Sequence, residues 1–382
     1  MTEEIAKRRC RRCKNTHPET LFSSEIDGLC VYCKADDAEA LPDPDKPEAS
    51  VAETEEASVE DKAKAELALR FLTRKRLLPF IERFNPDYQA GWVHKDICRR
   101  LEQFSKDVAE KKSPRLMLFM PPRHGKSTLA SIGYPAWHLG RHPDHEFISC
   151  SYSGSLAMGF SRKVRQLLRE PTYKTAFKTR LDPDSQSAEA WLTTSGGGFV
   201  AAGVGGGITG KGAHVLVIDD PVKNREDAES QNNRDSNWDW YTSTAYTRLA
   251  PGGGVLVILT RWHDDDLAGR LLKAGSEGGD EWEVVSYPAI AEEDEEFRVT
   301  GDALHKERYD EVSLDRIRRA VGPRDWSALY QQNPVADEGD YFNRGMIQYF
   351  HNDDIDVDRM RYYCAGTWRS AKRIGTTIRL EW

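Results

Sequence analysis

The 382-residue chain contains no run of about 18 apolar residues, which leaves it without a candidate membrane-crossing helix. Its opening residues, Met1 to Cys10, lack the apolar stretch of a secretory leader, so a cytosolic setting is expected. Cysteine is scarce, at seven residues. In a reducing compartment these are expected to be reduced or metal-bound rather than paired. Net basic charge is absent too: the formal charge of −8 argues against a wholly basic nucleic-acid binder without excluding one, because the acid is unevenly spread. No internal repeat is visible. A hydrophobic content of 39% and a mean hydropathy of −0.66 point to a soluble chain with a charged surface.

Four of the cysteines fall within residues 1–34, as Cys10-x2-Cys13 and, after sixteen intervening residues, Cys30-x2-Cys33. Two such pairs suit four thiolates closing a tetrahedral Zn²⁺ site in a zinc-ribbon-like segment. So short a stretch buries little apolar surface, and the metal would supply much of its folding free energy. His17 is a spare ligand that four cysteines make unnecessary. Arg8, Arg9, Arg11 and Arg12 suit a phosphate- or protein-docking surface or simply a solvated face. Residues 35–62, rich in Asp, Glu, Ala and Pro, are expected to form a disordered acidic linker, because they cannot bury enough surface to offset chain entropy. From Lys64 to Phe84 apolar residues recur at helical spacing and predict one or two lead-in helices.

Beyond these, apolar strand-like runs alternate with helical segments: Arg115 to Met120, Glu146 to Tyr152, His214 to Ile218, Gly254 to Thr260 and Trp282 to Tyr287. Trp92, His94, Ile97, Leu101 and Phe104 line one helix face ahead of the first run, and a basic helix carries Arg162, Lys163, Arg165 and Arg169. A glycine-rich segment spans Gly196 to Gly212. This pattern predicts an α/β fold with a mainly parallel sheet covered on both faces.

The first run feeds Pro121-Pro-Arg-His-Gly-Lys-Ser127, and a helix is expected to continue from Thr128. Strand, loop, Gly-Lys-Ser and helix is the arrangement that surrounds nucleotide phosphates with backbone N–H groups and a lysine, the serine hydroxyl lying where Mg²⁺ is held. The tripeptide is common by chance, and the glycine usual five residues before Gly125 is Met120 here. The partner element lies about ninety residues on. Val215-Leu-Val-Ile-Asp219-Asp220 ends a buried-type strand in two adjacent carboxylates, which repel each other unless a cation is near. Asp219 is the expected Mg²⁺ residue and Asp220 the expected general base. The expected nucleotide contacts are Pro122, Arg123, His124, Gly125, Lys126, Ser127, Thr128 and Asp219, with Mg²⁺ on Ser127 and Asp219.

The ordered set Pro121 to Ser127, Ser151-Tyr-Ser153, Gly207-Ile-Thr-Gly-Lys-Gly212, Ile218-Asp-Asp-Pro221 and Leu259-Thr-Arg-Trp-His263 resembles the large subunit of tailed-phage terminases. Tyr330-Gln-Gln-Asn-Pro334 and Gly339-Asp-Tyr-Phe342 resemble that family's junction between ATPase and nuclease. The resemblance implies a P-loop NTPase of the ASCE type, over residues 63–335, that hydrolyses ATP to move double-stranded DNA into a procapsid. It also implies a terminase small subunit and a portal protein as partners, a homo-oligomeric ring when assembled, and work in the host bacterial cytoplasm while docked on the portal. By position Lys126 contacts the β- and γ-phosphates, Thr260 matches the coupling motif that senses the γ-phosphate, and Asp220 stands where most members carry glutamate. Arg123 could add charge in cis. The arginine usual before the second strand motif is replaced by Lys211, which cannot make a guanidinium's bidentate contact; Arg261 is an alternative, or else a structural ion pair.

Residues 336–382 are read as a linker and a truncated start of the nuclease domain, whose first strand should carry an aspartate. Residues 365–382 can be encoded so that the frame one base earlier reads W-D-L-A-I-S-E-K-N-R-N-D-Y-T-V-G-V, a nuclease-like opening. The expectation is a one-base frameshift near Cys364 to Gly366 and no nuclease activity. Asp353, Asp354, Asp356 and Asp358 are assigned to the linker. Two other readings compete: a non-catalytic DNA- or portal-docking module built on the zinc segment, and a helicase-like nucleic-acid-dependent ATPase.

Overall fold

The computed structural model describes residues 58–334. The four zinc-assigned cysteines, the acidic linker up to residue 57 and much of the 336–382 segment lie outside the described residues. Short backbone strands are also traced at Lys7–Arg9 paired with Thr16–Pro18, and at Ile355–Asp356, Arg361–Cys364, Thr367–Ile374 and Thr377–Leu380. The chain divides into two compact units, residues 1–62 and 63–382.

The lead-in is two helices, α1 (Val59–Lys75) and α2 (Leu77–Phe84). Helix α1 starts four residues inside the stretch expected to be disordered, because Ser58 Oγ accepts from the Asp61 N–H at 3.1 Å and caps it. Its apolar residues do not enter the core: Leu67 is 63% exposed and Phe71 52%. Helix α2 does, through Leu77, Phe80 and Ile81.

The second unit is built on an eight-stranded sheet. Its strands are β1 (Arg115–Phe119), β2 (Glu146–Ser151), β3 (Leu181–Gln186), β4 (Ala190–Thr193), β5 (Gly198–Gly203), β6 (Ala213–Asp219), β7 (Leu249–Leu259) and β8 (Glu283–Ser286). They lie in the order β8-β1-β7-β6-β2-β5-β4-β3. The strands from β8 to β5 run parallel, and β4 and β3 add an antiparallel edge. Alternate residues of the central strands point to opposite faces. Leu116, Leu118, Val215, Val217, Leu256 and Ile258 join one core with α2, helix α3 (Trp92–Ala109), helix α4 (Tyr134–Arg141) and helix α5 (Gly154–Arg169). Met117, Phe119, Leu216, Ile218, Val255 and Val257 join the other, under helix α6 (Gln231–Trp240) and helix α7 (Leu267–Ser276). Burial on both faces is why these strands read as unbroken apolar runs.

Strands β3, β4 and β5 fall where no strand was expected. Strand β5 lies inside the glycine-rich segment, and its flanking glycines are needed: a Cβ on Gly198 would come within 2.5 Å of the Trp191 carbonyl oxygen. Strand β3 carries Pro183, which an edge strand tolerates.

Candidate functional site

Strand order alone brings the motifs together. Strand β7 lies between β1 and β6, so the loop after β1, the carboxylates ending β6 and Thr260 after β7 meet at one edge of the sheet. In parallel sheets this carboxyl edge is where ligands bind.

The loop needs no glycine at Met120. That residue does not take a left-handed backbone, and its side chain is fully buried in the core beside Leu116 and Leu118. The left-handed conformations fall instead at Arg123 (φ 65°) and Gly125 (φ 92°). At Gly125 a Cβ would also approach the Tyr88 hydroxyl to 3.1 Å, so glycine fits there on two counts. The helix then begins at Lys126 but passes through a π-helical turn at Thr128–Gly133 before α4. Pro135 explains the wider turn. It has no N–H and would clash with the carbonyl a regular turn places beneath it; the Tyr134 N–H bonds Leu129 O, five residues back, instead.

Lys126 is buried, its side chain 8% exposed, and its ammonium lies 3.2 Å from Asp220 Oδ2. It also donates to Thr260 Oγ1, whose own hydroxyl donates to the Met120 carbonyl at 3.3 Å. Asp220 has a left-handed backbone (φ 46°), its N–H bonded to Ile258 O and its carbonyl to the Tyr152 N–H. Its other carboxylate oxygen accepts from the Thr260 N–H at 3.0 Å. A strained backbone held by three hydrogen bonds turns this carboxylate into the cleft, where its neighbour Asp219 turns inward.

Asp219 is 1% exposed; Oδ2 accepts from Ser131 Oγ at 2.5 Å and Oδ1 is buried with no hydrogen-bond partner. Burial first, and the adjacent Asp220 charge second, push its carboxyl up to about 7, against the opposing pull of the Ser131 hydroxyl, Lys126 and the Ser127 hydroxyl. An orphaned, buried carboxylate oxygen with a serine hydroxyl on the same carboxylate fits a hard divalent cation. Among the described residues no group of three or more His, Cys, Asp or Glu could hold a metal.

The cleft has a volume of about 600 Å³ and takes in Pro122, Arg123, His124, Gly125, Lys126, Ser127, Thr128, Asp220 and Thr260. Every expected loop contact and the four expected catalytic groups, Arg123, Lys126, Asp220 and Thr260, are therefore on its wall, with Asp219 directly behind. Arg123 is exposed on the rim. Arg261 does not line the cleft: it is 9% exposed, donates to Asp266 at 2.7 Å and lies over the Phe119 ring, the contacts of a structural ion pair. Lys211 sits on an exposed turn after Ile208 and does not line the cleft either.

Sequence reasoning missed the opposite wall. Asn85, Tyr88 and Gln89, in the turn between α2 and α3, face the loop together with His94, His305 and Arg308. His94 Nδ1 accepts from the Gly91 N–H at 2.9 Å, so its Nε2 carries the proton and donates to the His124 carbonyl at 3.0 Å. One helix residue thus holds the loop backbone. Burial lowers both His94 and His124 to about 4, so both are neutral near pH 7. The only signal in the sequence was His94 itself, a histidine on an otherwise apolar helix face.

The sequence profile of the family described as "Terminase large subunit, T4likevirus-type, N-terminal" matches residues 117–348. The chain belongs to this terminase family. The match begins in β1 and includes the loop, the paired carboxylates and Thr260. Among solved structures, the large terminase of bacteriophage HK97 is similar at 14% identity over 68% of this chain and 55% of that one, with a TM-score of 0.41. The large terminase of a thermophilic bacteriophage in complex with ATP-γ-S matches at 11% identity over 60% of this chain and 49% of that one (TM-score 0.38). The ADP complex of the same thermophilic phage enzyme matches at 10% identity over 69% and 65% (TM-score 0.37). This terminase chain spans about half the length of the first two structures it matches. No curated protein matches it.

Proposed function

We propose that this terminase chain binds ATP with Mg²⁺ in the cleft and hydrolyses it to drive double-stranded viral DNA into a procapsid. One observation carries the reading: a buried Lys126 joined to both Asp220 and Thr260 at the ends of neighbouring parallel strands, beside an Asp219 with an unpartnered oxygen. Backbone N–H groups of the loop and the Lys126 ammonium would neutralise the β- and γ-phosphates, the polyphosphate replacing Asp220 as the lysine's partner. Ser127 and Asp219 would hold Mg²⁺, which supplies charge neutralisation at the phosphates. Released from the lysine, Asp220 can orient water and accept its proton. Thr260 touches Lys126 through its hydroxyl and Asp220 through its N–H, so loss of the γ-phosphate would reach β7 through two bonds.

The assembly reading follows the family. A homo-oligomeric ring, a small-subunit partner and a portal docking site in the host cytoplasm are proposed, with residues 1–34 as a zinc-bearing docking segment on Cys10, Cys13, Cys30 and Cys33, residues 35–62 as a linker, residues 63–335 as the motor and the residues from 336 on as the linker towards a nuclease domain. The test is phosphate release from ATP with and without Mg²⁺, small subunit and portal. Turnover that requires Mg²⁺ and Lys126 and rises with the partners supports the motor; turnover indifferent to Lys126→Ala overturns it.

A further inference from the structure

Four cationic side chains line the cleft: Arg123, Lys126, Lys223 and Arg308. Lys126 is bound to Asp220, and Lys223 follows that carboxylate by three residues. Arg308 comes from elsewhere, a segment more than twenty residues beyond the last strand, β8. Its guanidinium is exposed, lies over the Tyr309 ring at 5.9 Å, and pairs with no carboxylate among the described residues.

The segment bearing it is fixed against the loop. Leu304 is fully buried and its N–H bonds Ala289 O at 2.8 Å. The His305 ring meets the His94 ring edge-on at 4.7 Å, and a Cβ on Gly91 would come within 3.0 Å of it. The Tyr309 ring lies 4.9 Å from that of His124, inside the loop. Arg308 is thus held between two aromatic contacts with the phosphate loop and its supporting helix, and its N–H bonds His305 O at 3.1 Å. An arginine placed this firmly, without a carboxylate, at the wall of a cleft suits an anionic ligand.

Its position along the cleft is specific. The His305 and Tyr309 rings, close to it in the chain, pack on His94 and on His124, at the start of the phosphate loop. The segment bearing Arg308 therefore lies against the part of the loop that leads into Gly125 and Lys126, whose backbone N–H groups would face the phosphates common to ATP and ADP.

We propose that Arg308 is a nucleotide-binding cation supplied in cis, acting on the portion of the ligand that ATP and ADP share. This rests on the nucleotide reading above. It predicts uniform binding: the contact stabilises substrate, transition state and product alike, so it affects affinity and not the chemical step.

The experiment titrates the full-length chain with a fluorescent ADP and a fluorescent, slowly hydrolysed ATP analogue, in wild type, Arg308→Ala, Arg308→Lys and Lys126→Ala, with circular-dichroism melts alongside. Arg308→Ala should weaken both nucleotides by about tenfold, the scale of one charge-assisted contact, and Arg308→Lys should restore part of the loss. Where turnover is measurable, KM rises by a similar factor with kcat changed less than about twofold. Unchanged affinity for both nucleotides, or loss for the triphosphate analogue alone with kcat falling, overturns the proposal. If Lys126→Ala binds both nucleotides as wild type does, the nucleotide reading itself has failed; if Lys126→Ala weakens binding and Arg308→Ala does not, only the Arg308 assignment has.

Discussion

The two ends of the central sheet are both rich in buried polar groups, yet they treat them differently. At the amino edge, four histidines stack: His138, His142, His145 and His214, with the last ring pair at 4.4 Å and 8°. There His138 bonds Ser105 Oγ at 2.8 Å and His145 at 3.0 Å, and His214 accepts from the Glu146 N–H at 3.1 Å. At the carboxyl edge, Asp219 Oδ1, Tyr88 Oη, His124 Nε2 and His305 Nδ1 are buried without hydrogen-bond partners. An unpartnered buried polar atom costs about 1–3 kcal/mol, so several in one place mark a surface shaped for something other than the chain itself. The amino-edge histidines bond within the chain, to one another, to Ser105 and to the Glu146 backbone; the carboxyl-edge atoms are left for a ligand in the proposed function.

That contrast can be broken most sharply at Lys126. Lys126→Ala should lower ATP turnover by about 10²–10³-fold, measured as phosphate release, because one preorganised cation at the transferred phosphate is lost. Asp219→Asn is next: the Mg²⁺ concentration giving half-maximal turnover should rise about tenfold or more, as removal of an ionised ligand predicts. A magnesium titration unchanged in this variant would mean that the orphaned oxygen is not a metal ligand. Arg308→Ala, with about tenfold weaker nucleotide binding, ranks third. His138→Leu tests the other edge. It should cost about 1–3 kcal/mol in urea unfolding through loss of the Ser105 and His145 bonds, while KM for ATP stays as in wild type. A KM change comparable to that of Arg308→Ala would show that the edges are coupled.

Much of the carboxyl edge was legible because its chemistry is local in sequence. Arg115 to Thr128 and Val215 to Asp220 each carry strand, turn and functional group in a few residues, and Thr260 ends an apolar run. What was not legible depends on distance along the chain. Gly91 and His305 touch across more than 200 residues, and nothing in either neighbourhood announces it. Arg261 reads as a possible catalytic cation until Asp266 is seen beside it, five residues away on the cap of α7. The β5 strand was hidden because glycine, which lowers strand propensity, is there for close backbone approach. Met120 shows the converse: a departure from the usual loop pattern at a position where the backbone does not need glycine.

The smallest expected effect is also the one that compares both edges in a single experiment. Burial lowers His94 and His124 at the carboxyl edge, and His145 at the amino edge, to about 4, and His138 well below its ordinary value. In each case the fold favours the neutral ring, whereas the unfolded chain titrates near 6.5. Between about pH 4 and 6.5 the unfolded state therefore binds more protons, so stability rises with pH across that window and levels off above it. Urea unfolding at pH 5 should give a lower free energy than at pH 7.5. The slope should become shallower in His145→Leu and in His94→Leu, by up to one proton each. Saturating ADP separates the edges. If a nucleotide completes the carboxyl edge, it should stabilise wild type and His145→Leu by similar amounts and His94→Leu by less, because His94 holds the His124 carbonyl of the loop. Equal stabilisation of both variants would place the ligand elsewhere, and a slope unaffected by either substitution would mean that these rings do not govern the acid limb.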